Sequence, residues 1–353
     1  MNLLVFIATA LLSLAVTPAL IRLASRYGID RHGDSGRLRQ RTFTLSGGAA
    51  IFVSFFTVTA LAFLFSQRRW LGSYNWNFLG AVLGSALMII LGLYDAARKA
   101  PFQLKIAVQA LAGLILFGCG YRISSLTFFP GEEIALGWAG PVLLIFWVIG
   151  MTNAFALIDT IDGLAAGVAA IAAVTLFFAA MTGPPFVPVL AMATAGGCAG
   201  FLRYNFYPAR IRLGRAGTFF LGFILAAIAA QGEFKATAGI ALLLPILALL
   251  TAGYNRLRTV LTGGEKNKPR QLHNRLLRLG YSPRQTVLIL YLLQANLGLI
   301  ALVAAAAGKT LALGIFFLVG TMLYLLFNLV EEYRNRILAL EGEEADPAPG
   351  GGR

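Results

Sequence analysis

Three aspartates at the ends of apolar runs are the residues of this chain best suited to chemistry. Asp95 closes one run, and Asp159 and Asp162 lie between two others. Asp159 and Asp162 are three residues apart, so on a helix their carboxylates share one face. Such carboxylates can bind Mg²⁺ or transfer a proton. A helix-end acid is the alternative, with Asp162 as the cap of the next helix. Three acids with Asn153 beside them favour a site over three caps.

Basic residues cluster in the segment 254–284, which also contains His273. Leucines at helical spacing predict a short amphipathic helix over Gln271–Leu279, with Arg275 on its polar side. Arginine pairs with phosphate oxygens through two parallel hydrogen bonds. Arg256 and Arg275 in this segment therefore indicate phosphate or diphosphate binding. Attraction to lipid headgroups is the alternative, at about 1 kcal/mol per basic residue. For His273 a catalytic role and an interfacial position stay equally open.

The composition requires these residues to be positioned by membrane-spanning helices. The 353 residues are 58% apolar and 12% charged, with a mean hydropathy of +0.76. A soluble domain needs about twice that charged fraction, so disordered, coiled-coil and ordinary soluble proteins are excluded. We expect an all-α polytopic membrane protein with eleven spans of ~20 residues: 3–24, 46–66, 76–95, 104–120, 139–158, 164–182, 186–202, 217–232, 236–254, 285–307 and 310–330.

The charge of the loops predicts the orientation. Of the 29 Lys and Arg residues, 24 fall in one alternating set of loops and span ends, and five in the other. The positive-inside rule then places the C-terminus in the cytoplasm and the N-terminus outside. It also accounts for the net charge of +14 without a nucleic-acid partner. The three aspartates fall at the cytoplasmic boundary and no acid lies mid-span, which argues against a transporter or channel.

The remaining segments carry simpler expectations. Residues 1–337 form one transmembrane domain, and the polar tail 338–353 is disordered in the cytoplasm. The outer segment 121–138 has a Pro-Gly pair between β-prone runs, which predicts a small hairpin. Cys119 and Cys198 are buried packing residues. The apolar N-terminus has no basic region before it, so it is a first span and not a signal peptide.

The motifs resemble those of the polyprenyl-phosphate N-acetylhexosamine-1-phosphate transferases, glycosyltransferase family 4. The run Asn153-Ala-x-x-Leu-Ile-Asp159-x-x-Asp162-Gly-Leu-Ala-Ala-Gly167 is similar to the family signature. Four more segments match in order and spacing: Leu91–Asp95 with Lys105-x-x-x-Gln109, Ser46-Gly-Gly, Gly214–Gly222, and Gln271–Leu277 followed by Arg278-Leu-Gly-Tyr-Ser-Pro-Arg-Gln.

The resemblance implies a magnesium enzyme that moves a sugar-1-phosphate from a UDP-sugar onto undecaprenyl phosphate at the cytoplasmic membrane of a bacterium. On the matching positions it implies catalytic roles for Asp95, Asp159, Asp162 and His273, and metal binding by Asp95 and Asp159. The substrate-binding candidates are Lys105, Asn153, Arg215, Arg256 and Arg275.

The chain departs from the family pattern at five motif positions, and it lacks the aspartate that the family usually has near Pro245 in the ninth span. The family's second adjacent aspartate is Ala96, the aspartate of its Gly-Asp-x-Gly-Ser motif is Arg215, its second signature asparagine is Ala156, and two of its histidines are Gln271 and Asn274. A guanidinium near a divalent cation is repelled by several kcal/mol at an effective dielectric of about 20. We therefore expect no conventional magnesium site at Arg215, which instead pairs with Asp95 or Asp159 or binds a diphosphate itself.

Two functions remain open at this point. The departures favour a catalytically degenerate family member that binds polyprenyl phosphate and serves cell-envelope glycan assembly, with another assembly protein as a possible partner. The alternative is an active, divergent transferase that uses the retained Asp95, Asp159, Asp162 and His273.

Overall fold

The computed structural model describes residues 1–26, 47–65, 74–123, 125–126, 134–231, 235–262, 272–307 and 314. These contain twelve helices and one short hairpin. The helices are α1 (Asn2–Arg26), α2 (Gly47–Phe65), α3 (Asn75–Arg98), α4 (Phe102–Gly118), α5 (Ala139–Ile158), α6 (Leu164–Ala179), α7 (Phe186–Asn205), α8 (Gly214–Gln231), α9 (Lys235–Ala241), α10 (Leu243–Thr262), α11 (Leu272–Arg278) and α12 (Pro283–Ala307).

Nine of the eleven expected spans coincide with single helices. Seven are long and apolar enough to cross a membrane, and α4 and α6 are apolar but shorter. The chain is therefore a multi-pass membrane protein. The expected ninth span is wrong as a single helix, because it is divided into α9 and α10 at Leu242. The span 310–330 and the tail 338–353 lie outside the described residues, so eleven spans and the orientation of the termini stay predictions.

The helices α7 and α8 form the centre of the bundle. In each, 83% of the span is buried, whereas the other five candidate spans are 22–44% buried and turn apolar side chains outward. The helix α7 packs between α1 and α6, and α8 packs between α3 and α5. The core is consequently one continuous apolar cluster that crosses all of these helices.

A close helix contact brings α3 and α8 together at one end of the bundle. A Cβ atom on Gly92 would overlap the backbone of Arg215 and Ala216, so only glycine permits this approach. Asp95 follows Gly92 by one helical turn, and Arg215 lies in the first turn of α8. The small residue therefore places a carboxylate and a guanidinium side by side.

Two smaller elements confirm their predictions. The strands β1 (Ser125–Leu126) and β2 (Ile134–Ala135) pair in antiparallel fashion, as expected for a hairpin in the segment 121–138. The short helix α11 lies within the predicted amphipathic segment. Its buried residues are His273 and Leu276, so the histidine faces the bundle.

Candidate functional site

Asp95 is held between two cations from two other helices. The Lys105 Nζ of α4 donates to Asp95 Oδ1 at 3.2 Å, and the Arg215 Nε of α8 lies 3.8 Å from Oδ2. Asp95 itself is only 8% exposed, whereas the Arg215 side chain is about half exposed. The expected ion pair of Arg215 with Asp95 is thus confirmed, and the guanidinium has further N–H donors besides its Nε.

Asp159 follows the last residue of α5 and faces the beginning of α8. It accepts a backbone hydrogen bond from Gly214, and the charges of Arg212 and Arg215 are close enough to act on it. Burial of the carboxyl is the dominant effect and raises the pKa of Asp159 to about 6, helped by the neighbouring Asp162 and opposed by the two arginines. Asp159 is therefore a carboxyl that gains and loses its proton near neutral pH.

Asp162 does not cap α6 with its side chain, because its neighbour Gly163 occupies that position. Gly163 has φ +84°, a left-handed conformation that glycine adopts without strain. The Asp162 Oδ2 instead accepts a hydrogen bond from the backbone N–H of Ala209 at 3.2 Å. The loop between α5 and α6 is thereby joined to the loop between α7 and α8.

Asn205 makes a second connection between these two loops. Its Oδ1 accepts from the Gly163 N–H at 3.1 Å, and its Nδ2 donates to the Ile211 carbonyl at 2.8 Å. Asn205 is buried, so neither bond is exchanged easily for water. The acids of one loop and the arginines of the other therefore keep a fixed spacing.

Tyr291 supports the aspartate loop from α12. Its hydroxyl donates to the Gly163 carbonyl at 2.6 Å. Its ring fills the space that a side chain at Gly167 would need. The signature glycine at position 167 is thus explained by packing against a tyrosine.

His273 is joined to the same loop through a residue between the two acids. The Thr160 Oγ1 and the His273 Nε2 are 2.8 Å apart. Burial lowers the pKa of His273 to about 4, so the ring is neutral at physiological pH and can accept the hydroxyl proton. A hydroxyl paired with a neutral imidazole can bind a phosphate oxygen or take part in proton transfer.

A cavity of about 340 Å³ opens beside His273, between α5, α6, α10, α11 and α12. Most of its wall is aliphatic, including Ile158, Leu247 and Leu290. Its polar lining includes Asn255, His273 and Arg275, and the Asn255 Nδ2 has no hydrogen-bond partner among the described residues. The cavity thus combines an apolar wall with donors for an anionic or polar head.

Two predicted residues lie apart from the carboxylates. Asn153 is in the last two turns of α5, where its Nδ2 donates to Gln109 Oε1 and to the Ile149 carbonyl, each at 2.8 Å. Gln109 is fully buried, and its Nε2 has no partner within the part of the chain that the structure describes. Arg256 is exposed on α10, next to the cavity residue Asn255.

The arrangement does not fit a conventional magnesium site. Magnesium needs oxygen ligands in near-octahedral geometry, usually with one or two free carboxylates. Both oxygens of Asp95 face cations, and a metal there would have to displace Lys105 and Arg215. In the described ranges no three His, Cys, Asp or Glu residues lie close enough to hold a metal ion. The metal role of Asp95 and Asp159 stays a prediction.

Four residues of this site escaped sequence reasoning. Arg212 was counted only as loop charge, and Thr160 and Gln109 stand inside recognised motifs without being selected. Gln109 follows Lys105 by one helical turn, a spacing that could have identified it. Asn205 gave no sequence signal, because its partners Gly163 and Ile211 are backbone groups.

Comparison with known proteins gives the family. The model of glycosyl transferase family 4 matches residues 78–233. The chain is 27% identical over 321 residues to a probable undecaprenyl-phosphate N-acetylglucosaminyl 1-phosphate transferase of Bacillus subtilis (strain 168), covering 89% of this chain and 87% of the relative.

Two further relatives have related activities in their names. The decaprenyl-phosphate N-acetylglucosaminephosphotransferase of Mycobacterium tuberculosis (strain ATCC 25618 / H37Rv) is 29% identical over 339 residues, with 86% and 82% covered. A phospho-N-acetylmuramoyl-pentapeptide-transferase of Bacillus thuringiensis (strain Al Hakam) is 30% identical over 242 residues, with 64% and 72% covered. The chain belongs to glycosyl transferase family 4, and the resemblance drawn from the motifs is confirmed.

Proposed function

We propose that this protein is a non-catalytic member of its family that binds polyprenyl phosphate without a metal ion. Binding takes place at the cytoplasmic end of the bundle, in the cytoplasmic membrane of a bacterium, and serves cell-envelope assembly. The observation that carries the proposal is the position of Arg215, whose half-exposed guanidinium stands 3.8 Å from Asp95. A fixed cation thus replaces the carboxylate that the family pattern has at this position.

The charges around Arg215 support phosphate binding. Lys105 also pairs with Asp95 at 3.2 Å, so Arg215 is not its only cation and has further N–H donors for a phosphate. Arg212 adds a second guanidinium near Asp159.

The cavity, which Arg275 lines and Arg215 does not, is a separate feature that favours a lipid ligand. Its aliphatic wall suits an isoprenoid chain, and Arg275 suits an anionic head. The names of the relatives contain undecaprenyl phosphate and decaprenyl phosphate, which is the same chemical class of lipid.

Lipid retention in detergent with EDTA tests this function. Undecaprenyl phosphate should be retained by the wild type and lost at least tenfold in Arg215→Ala. Arg122→Ala is the matched control, because that arginine lies over Phe117, outside the site described above. Equal retention by wild type and Arg215→Ala, or none by either, contradicts the proposal.

An active transferase is the second candidate. The retained Asp159, Asp162 and the Thr160–His273 pair favour it, as do the transferase names of the relatives. Purified protein with undecaprenyl phosphate, a panel of UDP-sugars and magnesium or manganese should release no UMP above background. UMP release that disappears in Asp159→Asn would establish turnover and remove the non-catalytic interpretation.

A further inference from the structure

The divided span α9–α10 has a specific break in its hydrogen-bond ladder. The Leu242 N–H donates to the Ala238 carbonyl at 3.1 Å, and the Ile246 N–H donates to the Leu242 carbonyl at 3.2 Å. The intervening Ala241 carbonyl would normally accept from residue 245. Position 245 is proline, which has no N–H and whose ring crowds that carbonyl.

A side chain of α12 fills the vacant bond. The Gln294 Nε2 donates to the Ala241 carbonyl at 2.6 Å, and Gln294 is fully buried. No water is present in the hydrocarbon region to replace a lost hydrogen bond, so an unpaired carbonyl there is costly and the Gln294 bond stabilises the break. The Gln294 Oε1 has no partner among the described residues, so the Nε2 bond is the one that accounts for a buried glutamine here.

The direction of α10 decides the shape of the cavity. Beginning at Leu244, five further residues of α10 line it: Leu247, Ala248, Thr251, Tyr254 and Asn255. The facing wall includes Leu290 of α12, one turn before Gln294. The break between α9 and α10 therefore sets the direction of the helix that forms one wall of the cavity.

We propose that Gln294 is a positioning residue for the cavity: its amide replaces the hydrogen bond that Pro245 removes and so fixes the direction in which α10 leaves α9. Gln294 does not contact the ligand in this account. The proposal rests on the proposed function only for the identity of the ligand in the cavity. The direction of α10 can be measured without any lipid.

Distance measurement between spin labels tests the positioning directly. Labels at Leu257→Cys on α10 and Leu299→Cys on α12 use exposed positions, in the full chain with Cys119 and Cys198 replaced by alanine. Gln294→Met, similar in size but without a donor, should broaden or shift the distance distribution. Asn296→Leu is the control, because the exposed Asn296 bonds, among the described residues, to its own helix at Leu292. An unchanged distribution in Gln294→Met overturns the proposal.

Restoring the missing N–H separates positioning from a merely structural role. Pro245→Ala lets residue 245 donate to the Ala241 carbonyl, so Gln294→Met should no longer lower the melting temperature in that background. Gln294→Met should likewise no longer shift the distance between the labels in that background, because residue 245 now bonds the Ala241 carbonyl. A shift as large as that seen with Pro245 present would contradict a positioning role. Absence of retention by the wild type would instead contradict the proposed function, and the label distances would still decide the role of Gln294.

Discussion

The Arg215 Nε lies 3.8 Å from the Asp95 Oδ2. The two residues are far apart in the chain, so local structure alone does not predict this contact. It exists because Gly92 lets α3 and α8 approach backbone to backbone. The Asp95 carboxylate therefore has one cationic partner on α4 and another on α8.

Restoring an acid at position 215 should create a magnesium response. In Arg215→Asp a second carboxylate would stand beside Asp95, which removes the repulsion between guanidinium and metal. Magnesium at one hundred times its dissociation constant should then stabilise the variant by about 2.7 kcal/mol, read as a rise in melting temperature over an EDTA baseline. The wild type and Arg215→Ala should not respond. A magnesium-dependent rise in the wild type that is lost in Asp159→Asn would contradict this.

Asp159 should make the protein less stable as the pH rises through about 6. The folded pKa of about 6 lies above the ordinary value of 3.8, so the folded state binds this proton more tightly. Its contribution is present below pH 4 and is lost between pH 4 and 6. Asp159→Asn should therefore gain stability relative to the wild type on going from pH 4 to 7, on the order of 2 kcal/mol, in denaturation at both pH values. A difference independent of pH would be the contrary result.

His273 should produce the opposite slope. Its folded pKa of about 4 lies below the ordinary value of 6.5, so the folded state binds this proton less tightly. Stability is then lost as the pH falls from 6.5 to 4, when the buried ring must take up charge. His273→Gln should reduce this acid-side loss in melting temperature. Thr160→Val serves as the control, since it removes the 2.8 Å contact and leaves the titrating ring in place.

Asn205 should be sensitive to the loss of either half of its amide. Asn205→Ala leaves the Gly163 N–H and the Ile211 carbonyl unpaired inside the protein, at about 1–3 kcal/mol for each group. The melting temperature should fall clearly, and undecaprenyl phosphate retention should fall with it. Asn205→Asp keeps the acceptor for Gly163 but places a buried carboxylate oxygen against the Ile211 carbonyl, so it should lose at least as much stability. Undiminished retention in both variants would show that the loop connection does not govern the site.

The orientation of the chain is tested by reporter fusions. A reporter fused after Val330 should report the cytoplasm, and one inserted near Gly131 should report the outside. The opposite result at either position would overturn the span assignment.

Apolar run length predicted most of the helices, and motif order predicted several of the contacts at one end of the bundle. Asp95, Lys105 and Arg215 come together as the motifs required, and a short helix carries His273 as the leucine spacing required. The prediction of a single helix failed at the ninth span. A proline inside an apolar run can either break the helix or be tolerated within it, and the sequence does not distinguish the two. The carbonyl that Pro245 leaves unpaired is bonded by Gln294, forty-nine residues further along the chain.

The contacts between the two loops could not be predicted from the sequence, for a different reason. Asn205 and Tyr291 bond to backbone atoms of Gly163, and backbone atoms carry no residue identity that a pattern could reveal. Asn153 was placed correctly on α5 but pairs with Gln109 and not with the acids, because its side chain turns toward α4.

Tyr291 and Gln294 lie three residues apart on α12, and so on one side of that helix. One donates to the Gly163 carbonyl at the start of α6, and the other to the Ala241 carbonyl at the end of α9, just before α10. The helices α6 and α10, which line the cavity, are therefore both held in place by hydrogen bonds from α12. The cross-section that the cavity offers to a chain is set by the rotation of α12, so selectivity between a slender isoprenoid and a bulkier lipid would be altered by substitutions that never touch the ligand.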